Sequence, residues 1–316
     1  LYSKWSEELS LITLQFSKNV LAATNAYVLN ITDSTQLGGL PEFVKTMAAE
    51  TAAEKGLEGW AFTLDAPSYS PFLKYSTERD LRKQIWTAYN TRAIGGENDN
   101  TEIVKKIVDL RIKIANILGY ETYADYALEE RMAKNKLTVN EFIKNLLEPS
   151  MEFAKKDVAD VYAFAKKNGF EDSQLQSWDF SYWSEKYQQA EYSLSAEELK
   201  PYFQLESCID AVLGLATRLY GITFKELDNV PVYHPDVKVY EVNDADGRHL
   251  ALFYADFFPR ASKRGGAWMT EFRGQSIRNG VEYRPFISTV MNFTKPTADA
   301  PALITHDELT TFLHEF

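Results

Sequence analysis

Two neighbouring side chains, His314 and Glu315, are of the types that hold a metal and move a proton. They lie in Thr305-His306-Asp307-Glu308-Leu309-Thr310-Thr311-Phe312-Leu313-His314-Glu315-Phe316, a stretch that starts like a helix. Thr305 at the N-cap with Glu308 three residues on makes a capping box, and two carboxylates in the first turn suit the helix dipole. At 3.6 residues per turn, Leu309, Phe312, Leu313 and Phe316 share one face, which must be buried. His314 falls on the opposite side, over Thr310 and Asp307, with Glu315 at its flank. An imidazole beside a carboxylate on an open helix face forms the first half of H-E-x-x-H. In that motif two histidines four residues apart bind zinc and the glutamate works as general base. The second histidine would be residue 318, and the sequence has 316 residues. Adjacent His and Glu are also commonplace on solvated helices, so the pair by itself leaves both readings open.

Other reactive residues are weaker candidates. His306 lies eight residues before His314, too far for an i,i+4 pair, and reads as a helix-terminus or cleft residue. His234 and His249 have no ligand spacing and suit surface or hydrogen-bonded roles. Asp256 and Arg260 read as a structural ion pair ahead of catalysis. Cys208 sits in an apolar helical stripe with Leu205, Ile209, Val212 and Leu213, as a small buried hydrophobe rather than a nucleophile. Ser262-Lys263-Arg264-Gly265-Gly266 reads as a flexible basic loop. Without side chains, its glycines let the backbone approach a peptide or move as a hinge, so Gly265, Gly266 and Ala267 are candidates for substrate binding.

The elements that must position these residues change character along the chain. Leu9, Ile12, Phe16, Val20 and Ala23 mark a first amphipathic helix within 1–30. Pro41 opens a second, to about Lys55. Trp60 to Leu64 reads as a short strand before a loop with Pro67 and Pro71. Helices are expected at about 77–93 and 101–118, the latter stopped by Gly119. Thr138 to Glu141 reads as a capping box for a helix that Pro149 must kink or end, with a further helix to Lys167. Trp178 to Tyr192 reads as an aromatic-lined helix packed in the core. From Pro231 the period becomes two residues. Val237–Val242 and Arg248–Phe257 form a hairpin about Asn243-Asp244-Ala245-Asp246-Gly247, and Pro285–Phe293 supplies a third strand. The expected division is a helical region, 1–229, and a small-sheet region with the final helix, 230–316. The hairpin's edge offers main-chain groups to which a peptide can add as a strand.

Composition narrows the partners. The formal net charge of −11, without a strong basic cluster, argues against nucleic acid. No apolar run reaches the length of a membrane span. A single cysteine excludes an internal disulfide framework and favours a reducing compartment, hence cytoplasm. Both ends read as internal to a longer protein, which leaves a periplasmic or secreted location open.

Three stretches resemble the M3 family of zinc metallopeptidases. They are Ile117-Leu118-Gly119-Tyr120-Glu121-Thr122-Tyr123-Ala124-Asp125-Tyr126 with Arg131-Met132-Ala133; His234-Pro235-Asp236-Val237 through Phe253–Arg260 to Lys263-Arg264-Gly265-Gly266-Ala267-Trp268; and Phe312-Leu313-His314-Glu315-Phe316, which in the family continues Gly-His. Trp268-Met269 and Gln275-Ser276 look most like the dipeptidyl carboxypeptidase branch. The resemblance implies a mainly α architecture with one small sheet, in which two domains flank a channel-type active site. It implies zinc-dependent hydrolysis of short peptides, with His314 as a metal ligand and Glu315 as the catalytic base. Release of C-terminal dipeptides is the first expectation and internal cleavage of oligopeptides the alternative. The remaining zinc ligands are expected beyond residue 316, in a C-terminal part of the same protein. With one ligand in hand, a non-catalytic helical peptide-binding or scaffold protein is the reading from another class.

Overall fold

The computed structural model describes residues 1–193, 195–298 and 300–316. Its helices and strands run in the order α1 (Tyr2–Ala26), β1 (Leu29–Ile31), α2 (Glu42–Glu54), β2 (Trp60–Phe62), α3 (Ala66–Tyr75), α4 (Arg79–Asn90), α5 (Thr101–Ile117), α6 (Tyr123–Leu128), α7 (Lys136–Lys167), α8 (Ser177–Tyr192), α9 (Ala196–Leu199) and α10 (Leu205–Tyr220). Strands β3 (Thr223–Glu226), β4 (Lys238–Asn243), β5 (His249–Asp256), β6 (Trp268–Arg273), β7 (Ser276–Arg278), β8 (Val281–Tyr283) and β9 (Phe286–Val290) follow, then α11 (His306–Glu315). The chain is mostly helical with a small mixed sheet, as expected. It gathers into two compact units, one of residues 1–29 and 78–187, the other of 30–77 and 188–316.

The first unit is all helix. Within it Asp179 is fully buried and accepts two hydrogen bonds from Arg79, at 2.8 and 2.7 Å, and one from the buried Arg82 at 3.3 Å. The aromatic helix α8 packs as its composition suggests: Trp183 meets Phe164 and Phe170 edge to face, and Trp178 meets Trp86. Two local expectations fail here. Helix α7 begins at Lys136 with Asn135 as its cap, accepting from the Thr138 N–H at 2.9 Å, so Thr138 is not the cap. The helix also runs unbroken past Pro149 to Lys167. One missing backbone bond costs less than ending a helix whose far end buries Val161 and Ala165.

In the second unit, the Pro67–Pro71 stretch is helix α3, not a loop. Pro67 occupies the first turn, where no N–H is needed, and Pro71 loses only its bond to the Pro67 carbonyl. The main sheet has five strands in the order β3-β4-β5-β9-β6. It therefore starts at Thr223, before the expected change at 230, and uses two strands, β3 and β6, that alternation does not reveal. Both lie at sheet edges, where neither face is fully buried and the two-residue pattern fades. The expected β4–β5 hairpin is present but interior, flanked by β3 and β9, so its edges are already paired. The free edge beside the glycine loop belongs to β6. Leu205, Ile209, Val212 and Leu213 of α10 pack with Phe253 and Phe257, Met291, Phe293 and Phe312 in one core. Cys208 lies in that core and its burial raises the thiol pKa, which suits a buried hydrophobe.

Candidate active site

Helix α11 is built as its sequence dictates. The Thr305 hydroxyl accepts from the Glu308 N–H at 3.1 Å, and Glu308 Oε2 accepts from the Thr305 N–H at 2.7 Å. Glu308 does more than cap. Its Oε1 also accepts from the Thr294 N–H at 2.8 Å and the Thr294 hydroxyl at 3.2 Å, tying the helix start to the chain leaving β9. Burial raises the Glu308 pKa, against the opposing effect of these donors. A Glu308→Ala variant should lose about 1–3 kcal/mol, the range for leaving buried donors unpaired. Denaturant unfolding of the purified variant checks this, and a change under about half a kcal/mol would remove Glu308 as the anchor.

The buried stripe is narrower than expected. Phe312 is fully buried against Phe257, with ring centroids 5.3 Å apart, and Leu309 packs on the same core. Leu313 is 46% exposed, because it stands about 100° round the helix from Phe312. Phe316 is partly exposed yet meets Phe224 and Phe253. His314 is exposed on the side away from Phe312, and Glu315 is half-buried at its flank. Each of the other three histidines has a neighbour of its own. His249 meets Glu241 at 3.2 Å across β4 and β5, His234 Nδ1 accepts from the Asp236 N–H at 3.3 Å, and the His306 ring stands 6.0 Å from that of Phe203.

The loop before β6 is not the loose basic segment its residues suggest. Lys263 is 7% exposed and spends its three N–H groups on the Asp256 carbonyl at 3.0 Å, Asp256 Oδ1 at 2.9 Å and the Phe258 carbonyl at 2.8 Å. Asp256, 1% exposed, also takes a two-pronged contact from Arg260 at 2.9 and 2.8 Å and the Tyr233 hydroxyl at 3.1 Å. The expected Asp256–Arg260 pair is thus present, with Lys263 as an unforeseen third member. Burial pushes the Asp256 carboxyl up, but the Arg260 and Lys263 hydrogen bonds and charges more than offset it and hold it below its usual pKa. Burial lowers Lys263 to about 8. Beyond this anchor Gly265 and Gly266 are exposed, while Ala267 packs against the core that also carries Leu309 and Phe312.

A catalytic zinc site takes three protein ligands. Among the described residues no group of three His, Cys, Asp or Glu side chains converges in that way. His314 is a single exposed donor on α11.

The model of peptidase family M3 matches residues 72–316. The chain belongs to that family. It is 39% identical to oligopeptidase A of Escherichia coli over 321 residues, covering all of this chain and 47% of that protein. It is 38% identical to the probable cytosolic oligopeptidase A of Arabidopsis thaliana, with all of this chain and 47% of that protein covered. Against the dipeptidyl carboxypeptidase of Salmonella typhimurium it is 38% identical over 307 residues, or 96% of this chain and 44% of that protein. The chain thus spans about half the length of these relatives. The identities do not separate the branches, so the likeness of Trp268-Met269 and Gln275-Ser276 to one of them decides nothing about cleavage mode. No helix among the described residues is long and apolar enough to cross a membrane.

Proposed function

We propose that the protein carrying this chain hydrolyses short peptides with the help of zinc, and that His314 and Glu315 supply one metal ligand and the catalytic base. The observation that carries this reading is the exposed His314 with half-buried Glu315 at its flank, on a capped, core-anchored helix of an M3 family member. The rest of the metal site is expected in the part of the protein that these relatives have and residues 1–316 do not span, beginning with a histidine four residues after His314. Bound zinc supplies Lewis-acid polarisation of the scissile carbonyl. Glu315 stands about 100° round the helix from His314 and is offset from the metal's direction. From there it takes the proton of the attacking water and hands it to the leaving amine.

The β6 edge is proposed as the surface along which the peptide lies, in place of the interior β4–β5 hairpin. Main-chain pairing there accepts many side chains, which suits oligopeptides of mixed sequence. Gly265 supports this reading. A Cβ built on it would meet nothing within 4 Å, and its φ is not in the left-handed region, so nothing in the fold requires glycine there. Gly265→Val should therefore leave stability within about 0.5 kcal/mol, as for other unburied positions, while raising KM for peptides. If KM is unchanged, the loop does not touch substrate.

Release of C-terminal dipeptides is the first choice of mode and internal cleavage the second. Product analysis with one peptide, C-terminally free or amidated, distinguishes them: loss of cleavage on amidation fits dipeptide release, and unchanged cleavage sinks it. A cytoplasmic setting is proposed from the single, buried cysteine.

A further inference from the structure

The glycine loop is also held by a residue that no motif picks out, Asn292. Its Nδ2 donates to the Arg264 carbonyl at 3.1 Å and to the Gly266 carbonyl at 2.7 Å. The amide orientation follows from chemistry, since the side-chain oxygen in that place would face two acceptors. Register explains the contact. Trp268 stands opposite Val290 in the antiparallel β6–β9 pair, so two steps further along each chain bring Gly266 opposite Asn292. On its other side β9 stays joined to the β5 strand, with the Met291 N–H donating to the Asp256 carbonyl at 2.8 Å. Asn292 thus continues the β9–β6 pairing through its side chain, just past the end of the ladder.

That clamp fixes where the loop's own donors point. A trans peptide aims its carbonyl and the next N–H in opposite directions, and the described chain has no cis bonds. With the Arg264 and Gly266 carbonyls drawn to Asn292, the N–H groups of Gly265 and Ala267 face the other way, in line with the unpaired edge of β6. Among the described residues neither N–H has an acceptor. The space around Gly265 is open, and Gly266 adopts φ +96°, which only glycine takes without strain.

We infer that Asn292 is a positioning residue: it sets the Gly265 and Ala267 amides as a pair of donors for carbonyl oxygens of an extended peptide. The inference rests on the peptidase reading above and adds to it the groups that hold the substrate backbone. Asn292→Asp is the informative change, because aspartate has the same size but its carboxylate cannot donate and repels both carbonyls.

The test uses the complete protein. In steady-state assays Asn292→Asp should raise KM for a decapeptide about tenfold, which is ~1.4 kcal/mol of binding, with kcat, metal content and melting temperature unchanged. In amide hydrogen exchange, a saturating decapeptide added to the Glu315→Gln protein should protect the 264–268 segment. That protection should vanish when Asn292→Asp is combined with it. Absence of protection in the Glu315→Gln protein, or equal protection with and without Asn292→Asp, overturns the inference. So does a variant whose kcat and melting temperature fall while KM holds, since that is the behaviour of a merely structural residue. If the unmodified protein cleaves no peptide, the peptidase reading fails on its own, and the exchange measurement still decides whether these amides bind a peptide.

Discussion

Glu315→Gln in the complete protein should keep the fold and the metal and lose at least about a hundredfold in kcat, the low end for removing a general base. The fold is spared because the Glu315 side chain makes no hydrogen bond or ion pair among the described residues and the helix is anchored elsewhere, by Glu308 at its start and Phe312 at its centre. The metal is spared because Glu315 is offset by about 100° from His314, so the two side chains cannot serve one point in the same way. His314→Ala should give the complementary result, losing the metal together with activity, since two remaining protein ligands hold zinc poorly. Metal content and hydrolysis of a short blocked peptide, measured for both variants, separate the roles. An active Glu315→Gln, or one that loses metal as completely as His314→Ala, would mean that the roles are wrongly divided.

The largest effect on stability is expected at Asp256. Asp256→Ala removes the carboxylate that faces Arg260, Lys263 and Tyr233 and leaves the Lys263 ammonium buried without its counter-charge. Breaking a buried pair from one side costs about 3–5 kcal/mol. The cost should depend on pH. In the unmodified protein burial lowers the folded-state pKa of Lys263 to about 8, from the ordinary lysine value of 10.5. Between those values the unfolded chain binds more protons, so this group makes stability rise with pH across the interval. In Asp256→Ala the attraction that keeps Lys263 charged is gone, so its folded pKa drops further and the rise begins at lower pH. Denaturant unfolding across the neutral to alkaline range reads both effects. A loss below about 1 kcal/mol, typical of an exposed pair, would show that the cluster is not closed to water.

Legibility from sequence follows how local the determining physics is. The α11 capping box, the exposed His314 and the buried Phe312 follow from neighbours within two turns of one helix, and all three are read directly. Lys263 is not, because a lysine beside an arginine and two glycines has every local mark of a solvated loop. Its partner, Asp256, ends a strand seven residues earlier, and only the turn between them brings the charges together. Strand β3, Thr-Phe-Lys-Glu, escapes notice because an edge strand that ends in two charged residues has no alternating pattern. Asn292 is hidden for a related reason. Between buried Met291 and Phe293 it looks like the polar side of a strand, and its task depends on which strand lies opposite.

The most direct measurement of the central claim is peptide hydrolysis by the complete protein before chelation, after it, and after zinc is restored. Cleavage of an oligopeptide should disappear on removal of the metal and return with zinc, while the Glu315→Gln protein stays inactive at every stage. Hydrolysis that continues undiminished in chelator, or a metal-loaded protein that cleaves no oligopeptide, would contradict the assignment of His314 and Glu315 to a zinc peptidase site.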